Sequence, residues 1–377
     1  MQRKKLWQLA WCPRVLLIVM TVVLSEICRW AAAQSATNTV ENLEPPLSCP
    51  SESPKCTLTA QTWQCRSEVD CLSRVWSEKS VTCDLVFIKI AKCASTTNSG
   101  VARKIGQRLG LTGVFDMAGG KTSTQECRVF ANHAKADGTD INGMNLPGGG
   151  LFHRDEERRK TTYLYTFVRL PEARAISSFF WFQVGLKKLP PDDNSIIQYL
   201  QDTTNVNYMT KYVSLRNTGA CNDSETNLTG CVLDILSDYD FIGITERENE
   251  SLVAMKFLMR LDMADIVHLN SKDAGSGCGP RSFRSSPVQA YLESDFRLDN
   301  KVDIALYEAV NRSLDATISW IGNQVFQDEL AVFEQLLQEA RQECSPPAAD
   351  DCFYMTPPCG CGCGHSCIDT VLSRVLS

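Results

Sequence analysis

The sequence predicts an α/β fold: a P-loop-like, mainly parallel sheet flanked by helices, with a disulfide-rich N-terminal lead-in and C-terminal tail. Three observations predict it. Apolar, β-prone runs alternate with helix-like segments from residue 84 to about 343, the order that builds parallel sheets. One of these runs ends in a lysine followed by small and hydroxyl residues, Lys92-Cys93-Ala94-Ser95-Thr96-Thr97. Most of the 18 cysteines fall before residue 84 or after residue 343.

At the N-terminus, Arg3, Lys4 and Lys5 precede an apolar run from Val15 to Leu24. Two readings of residues 1–33 stand. Ala31-Ala32-Ala33 has the small residues of a signal-peptide cleavage site. Alternatively the run, extended to Trp7 and Trp30, is an uncleaved type II anchor with its basic end in the cytosol. Both put the rest of the chain in the secretory lumen. The cysteine count agrees, because disulfides persist in oxidising compartments. So do the sequons at Asn222, Asn227, Asn249 and Asn311.

Residues 34–83 are polar and rich in Ser, Thr, Pro and Cys, and read as a disulfide-tied stem. Residues 84–343 read as the main domain. Leu85–Ile90, Arg128–His133, Tyr163–Val168 and Tyr239–Ile244 are expected as buried strands, and Ser99–Leu109, Pro171–Val184 and Glu248–Leu261 as helices. Residues 302–320 and 324–343 follow helical spacing. The tail, 344–377, carries Cys359-Gly360-Cys361-Gly362-Cys363-Gly364-His365. Metal binding and disulfides are both open there, with disulfides the better fit to a lumenal protein.

A strand that feeds a short loop and a helix N-terminus makes an anion site, since first-turn N–H groups lack partners and the helix dipole favours negative charge. Lys92 adds a full charge, and Ser95, Thr96 and Thr97 add hydroxyl donors. A second constellation starts at another strand end. Arg169 precedes Pro171 at a helix start, and Arg174 and Ser177 follow three residues apart. Arg169 and Ser177 are placed to hold one phosphate, Arg by a forked charge-assisted contact. The formal net charge of −6 argues against a general nucleic-acid binder.

These two elements together resemble the nucleotide-binding motifs of the Golgi carbohydrate sulfotransferases, above all the galactose 3-O- and hexuronyl 2-O-sulfotransferase branches. Two further stretches are similar to that group: Phe241–Leu252, with Thr245-Glu246-Arg247-Glu248, and Asp303–Leu314, with Leu306-Tyr307-Glu308 and Asn311-Arg312-Ser313. The resemblance covers about residues 84–340. It implies a glycan acceptor and 3′-phosphoadenosine 5′-phosphosulfate as donor, with no metal required. It places Lys92, Ala94, Ser95, Thr96 and Thr97 on the 5′-phosphosulfate, and Arg169 and Ser177 on the 3′-phosphate. It gives Lys92 the charge on the leaving oxygen and His133, at a strand end, the role of general base. It also implies a Golgi location. Cys93 departs from the pattern, which has Thr or Gly there more often, and leaves a thiol beside the donor loop.

Other features compete. His153, after Gly148-Gly149-Gly150, is the reserve base, and the basic run Arg154, Arg158, Arg159 and Lys160 is a candidate contact for an acidic glycan. Gly119-Gly120-Lys121-Thr122 has the end of a Walker loop, but Phe115 stands where its first glycine belongs. Asp238-Tyr239-Asp240 resembles the acidic pair of metal-dependent glycosyltransferases, which makes that class the alternative enzyme. A secreted cysteine-rich binding protein on a degenerate core is the non-enzymatic alternative. Acceptor sugar, sulfated position and oligomeric state are not encoded in any of these motifs.

Overall fold

The computed structural model describes residues 56–59, 62–65, 74–81, 83–114, 128–133, 156–215, 228–269, 285–344 and 365–375. The N-terminal apolar run, Gly119–Thr122, Gly148–Arg154, Asn222, Asn227 and Cys352–Cys363 lie outside these residues.

Strands β1 (Cys56–Thr59) and β2 (Thr62–Cys65) form an antiparallel pair. Among the described residues the main sheet has five strands: β3 (Asp84–Ile88), β4 (Thr112–Val114), β5 (Arg128–Asn132), β6 (Thr162–Val168) and β7 (Phe241–Ile244), in the order β4-β5-β3-β6-β7. Every pairing is parallel. Leu85 to Ile88, all of β6 and all of β7 are buried, as a sheet covered on both faces requires. That burial is why these runs are continuously apolar rather than alternating.

Helix α1 (Ser95–Arg108) follows β3 and packs on β3, β4 and β5. A short α2 (Glu156–Thr161) leads into β6. Helix α3 (Pro171–Phe179) leaves β6 and continues as a π-helical stretch, Phe180–Leu186. Next come α4 (Asp193–Gln201), α5 (Tyr208–Val213) and α6 (Leu228–Asp238). After β7 and one 3₁₀ turn, Thr245–Arg247, comes α7 (Glu248–Met259), then α8 (Met263–Ile266). Helices α9 (Ser286–Glu293), α10 (Asp295–Asp299), α11 (Lys301–Ile321), α12 (Asn323–Glu343) and α13 (His365–Val375) complete the described chain.

Two differences from expectation affect the site. Helix α1 begins at Ser95 rather than Ser99. Ser and Thr have modest helix propensity, but the first-turn positions need no intrahelical acceptor and suit them. The hydroxyl residues of the loop are therefore the helix's first turn. The core also extends past 84–343: Trp76 is fully buried in it, as are Ile368, Val371 and Leu372 of α13.

Candidate active site

The parallel order β5-β3-β6 sets three carboxyl ends side by side. Lys89 to Ala94 leave β3, His133 leaves β5, and Arg169 leaves β6. Ligands in open α/β sheets bind outside such ends.

The β3 loop is shaped for an anion. Lys92 (φ 71°) and Ala94 (φ 49°) are both left-handed, a conformation that non-glycine residues hold only where the surroundings enforce it. Left-handed turns of this kind gather backbone N–H groups into an anion-binding nest. No side chain caps α1 and no acidic residue stands in its first turn. The helix's first bond runs from Asn98 N–H to the Ala94 carbonyl, 3.1 Å, so the N–H groups of Ser95, Thr96 and Thr97 precede the ladder. The Lys92 ammonium lies 4.4 Å from the ring centroid of Trp181. Asn98 Nδ2 donates to the Ala94 carbonyl at 3.2 Å and to Glu248 at 3.0 Å. Burial pushes the Glu248 carboxyl up to about 7.

Arg169 ties the two motifs together. Its Nη1 donates to the Lys92 carbonyl at 3.0 Å, and its Nε lies 3.6 Å from Glu246. That Nε is buried and makes no hydrogen bond, with the Glu246 carboxylate as its ion-pair partner. Glu246 also accepts from Leu170 N–H, 3.2 Å, at the start of α3. It hydrogen-bonds Tyr307, whose hydroxyl burial and this carboxylate together push up to about 12. Arg247 forks onto Glu250 at 2.7 and 2.9 Å and donates to Asn311 at 2.9 Å. The stretches around 246 and 307 thus support the Arg169 strand end from behind. In sequence, Glu246 falls in the Phe241–Leu252 stretch that carries the resemblance, but nothing there marks its bond to Leu170.

Ser177 is half-buried on α3. Arg174 does not share its setting. It is 1% exposed, with its guanidinium 4.1 Å over the Tyr208 ring and Nη1 unpartnered. The spacing that puts Arg174 and Ser177 on one helical face in the sequence does not show which of them turns inward.

His133 Nδ1 lies 2.7 Å from the Lys89 carbonyl. A carbonyl only accepts, so Nδ1 carries the proton and the imidazole lone pair is on Nε2. The ring is thereby held to the backbone of the donor loop. His268 is a core residue, 5% exposed and bonded to Ile266, and burial pushes it down to about 4. His365 opens α13, and His153 lies outside the described residues.

The competing features sit elsewhere. Asp238 and Asp240 stand at the amino end of β7, the edge opposite the loops. Asp238 accepts from Arg159 at 2.9 Å; Asp240 accepts from Lys79 at 3.0 Å and from Leu164 N–H at 2.7 Å. These bonds fasten α2 and the lead-in to the sheet, and they account for Arg159 in the basic run. Cys93 is a buried free thiol, 3.9 Å from the Met209 sulfur, and burial pushes its pKa to about 12. It packs as a small apolar residue and is no nucleophile at neutral pH.

No family model matches the chain. Over 282 residues it is 23% identical to the galactosylceramide sulfotransferase of Mus musculus, and over 278 residues 23% identical to that of Bos taurus. Each match takes in 69% of this chain and 64% of the relative, so the chain spans just under two thirds of the length of these relatives. The likeness is to sulfotransferases, and the relatives' acceptor is a property of those proteins.

Proposed function

We propose that the protein is a carbohydrate sulfotransferase that moves a sulfuryl group from 3′-phosphoadenosine 5′-phosphosulfate to a glycan hydroxyl. The observation that carries this reading is the joining of three strand ends by two hydrogen bonds, His133 to the Lys89 carbonyl and Arg169 to the Lys92 carbonyl. The nest at Lys92–Ala94 and the first turn of α1 hold the 5′-phosphosulfate. Arg169 and Ser177 hold the 3′-phosphate. The acceptor oxygen attacks sulfur while His133 Nε2 takes its proton. The bond from sulfur to the bridging oxygen breaks, and that oxygen keeps the electron pair beside the Lys92 ammonium. The products are the sulfated glycan and 3′-phosphoadenosine 5′-phosphate. Such transfer depends on positioning and fixed charge more than on covalent chemistry.

The Cys344–Cys367 disulfide supports a lumenal setting, and we place the protein in the Golgi, anchored or released at residues 1–33. No described helix is long and apolar enough to cross a membrane. The relatives' names make galactosylceramide the first acceptor to try, beside galactose-terminated glycoprotein glycans and hexuronate polysaccharides.

The test is transfer of radiolabel from ³⁵S-phosphosulfate donor to that panel, with and without chelator. Label should move in the presence of chelator. Lys92→Ala should slow it about 10²–10³-fold, as loss of an oxyanion donor does. His133→Ala should slow it about 10²–10⁴-fold with affinity for 3′-phosphoadenosine 5′-phosphate unchanged. Full rates in both variants, or metal-dependent use of a nucleotide sugar instead, would overturn the reading.

A further inference from the structure

The helix of the second motif reaches the lysine of the first. Trp181 is the second residue of the π-helical stretch that prolongs α3, and the Lys92 ammonium lies 4.4 Å from its ring centroid. The two residues before it, Phe179 and Phe180, are buried in a small core with Ile196, Leu200 and Phe296. They fix the end of α3, and the wider π turn then sets where the next side chain points. Turns of this kind gather at functional sites. Trp181 is itself only half-buried, so filling a core is not its whole role. The Lys92 backbone is held as well, in a left-handed conformation with its carbonyl on Arg169. The Lys92 side chain is a flexible four-carbon stem, and the indole is a group that meets its ammonium.

We propose that Trp181 is a positioning residue for Lys92. The indole face holds the ammonium over the donor loop, so the charge is in place before the bridging oxygen of the donor develops its own. This rests on the reading of Lys92 as the donor-side lysine. An indole face is well suited to the task, because it attracts a cation without offering a proton acceptor that would compete with the donor's oxygens.

The test is a double-variant cycle on the full chain: wild type, Trp181→Leu, Lys92→Met and the pair, each assayed by single-turnover label transfer. Trp181→Leu should lower the rate about tenfold with little change in donor KM, and Trp181→Phe should recover part of it, since a smaller ring still presents a π face. In the Lys92→Met background, Trp181→Leu should change the rate less than about twofold, because the interaction it removes is already gone. Equal slowing in both backgrounds, or a loss confined to acceptor KM, would overturn the proposal. Should Trp181→Leu fail to unfold cooperatively, Trp181→Phe takes its place in the cycle with a smaller expected loss, about threefold. Tryptophan emission gives a readout without turnover: the Lys92→Met difference spectrum should vanish in Trp181→Phe, and its persistence there counts against the contact. A Lys92→Met variant with full activity would instead sink the donor-site reading, whatever the spectrum shows.

Discussion

Glu248 carries a proton problem beside the first turn of α1. Glu248 is half-buried at the start of α7, and its carboxyl accepts from Asn98, which also holds the left-handed Ala94. Burial lifts it from 4.5 to about 7. A carboxyl raised in the folded state favours folding fully below its unfolded pKa, and that contribution fades as pH rises through the folded pKa. Stability from this residue therefore falls between pH 4.5 and about 7. Glu248→Gln keeps the shape and the Asn98 contact but has no charge to bury. Urea unfolding should find the Gln variant more stable than wild type at pH 8, by at most about 3 kcal/mol, and the advantage should vanish near pH 4.5. A constant difference across that range would mean Glu248 titrates as an ordinary surface acid. His268 runs the other way. Its imidazole is lowered from 6.5 to about 4, so its contribution is lost as pH falls through that window. The two residues partly cancel in wild type, which is why the Glu248→Gln comparison, and not the raw pH profile, isolates the carboxyl.

Among the elements, α1 lies so close to β5 that only glycine fits at position 106. A Cβ there would stand 2.0 Å from Val129 Cγ2. Alanine at a helix interior normally gains about 1 kcal/mol over glycine, yet overpacking a filled contact costs about 1–3 kcal/mol. Gly106→Ala should therefore lose stability on balance, measured by urea unfolding at fixed pH. A variant as stable as wild type would show that α1 and β5 separate freely. How far elements were legible in the sequence follows from how each is buried. Strands β3, β6 and β7 are covered on both faces, so their apolar runs are continuous and stand out. Strand β4 is three residues long and has no period to read. The π-helical stretch after α3 has the composition of an ordinary helix, so the direction of Trp181 was hidden. The positions of Lys92, His133 and Arg169 just past strand ends were legible because each follows an apolar β-prone run. The Glu246–Leu170 and Asn98–Glu248 bonds were not, because each joins residues more than 70 positions apart.

At the scale of the molecule, the sheet is clamped by segments from outside residues 84–343. Before it, the Arg74 and Trp76 N–H groups donate to Ser313 at 2.8 Å and Thr317 at 3.2 Å on α11, and the Trp76 indole packs edge-on to Phe241 at 6.0 Å. After it, α13 sinks Ile368, Val371 and Leu372 into the core, and Cys367 is bonded to Cys344 at the end of α12. Asp369 of the same helix lies 3.1 Å from the ammonium of Lys104, which is 3% exposed on α1. Burial holds that lysine below its usual pKa, and Asp369 opposes the shift. Composition favoured disulfides in this tail but did not show that Cys344 and Cys367 pair. The disulfide ties α13 to the end of α12, and from there Asp369 reaches Lys104 on α1. Replacing both Cys344 and Cys367 with Ser should cost about 2–4 kcal/mol, the usual effect of losing a bond that closes a loop of some twenty residues. Asp369→Asn, with the disulfide intact, should cost less and should make stability fall further at neutral pH than at high pH, where Lys104 sheds its proton. Thermal unfolding under oxidising conditions separates the two. If the Ser pair unfolds at the wild-type midpoint, α13 is held by its apolar face alone and the tail's cysteines add nothing to the fold.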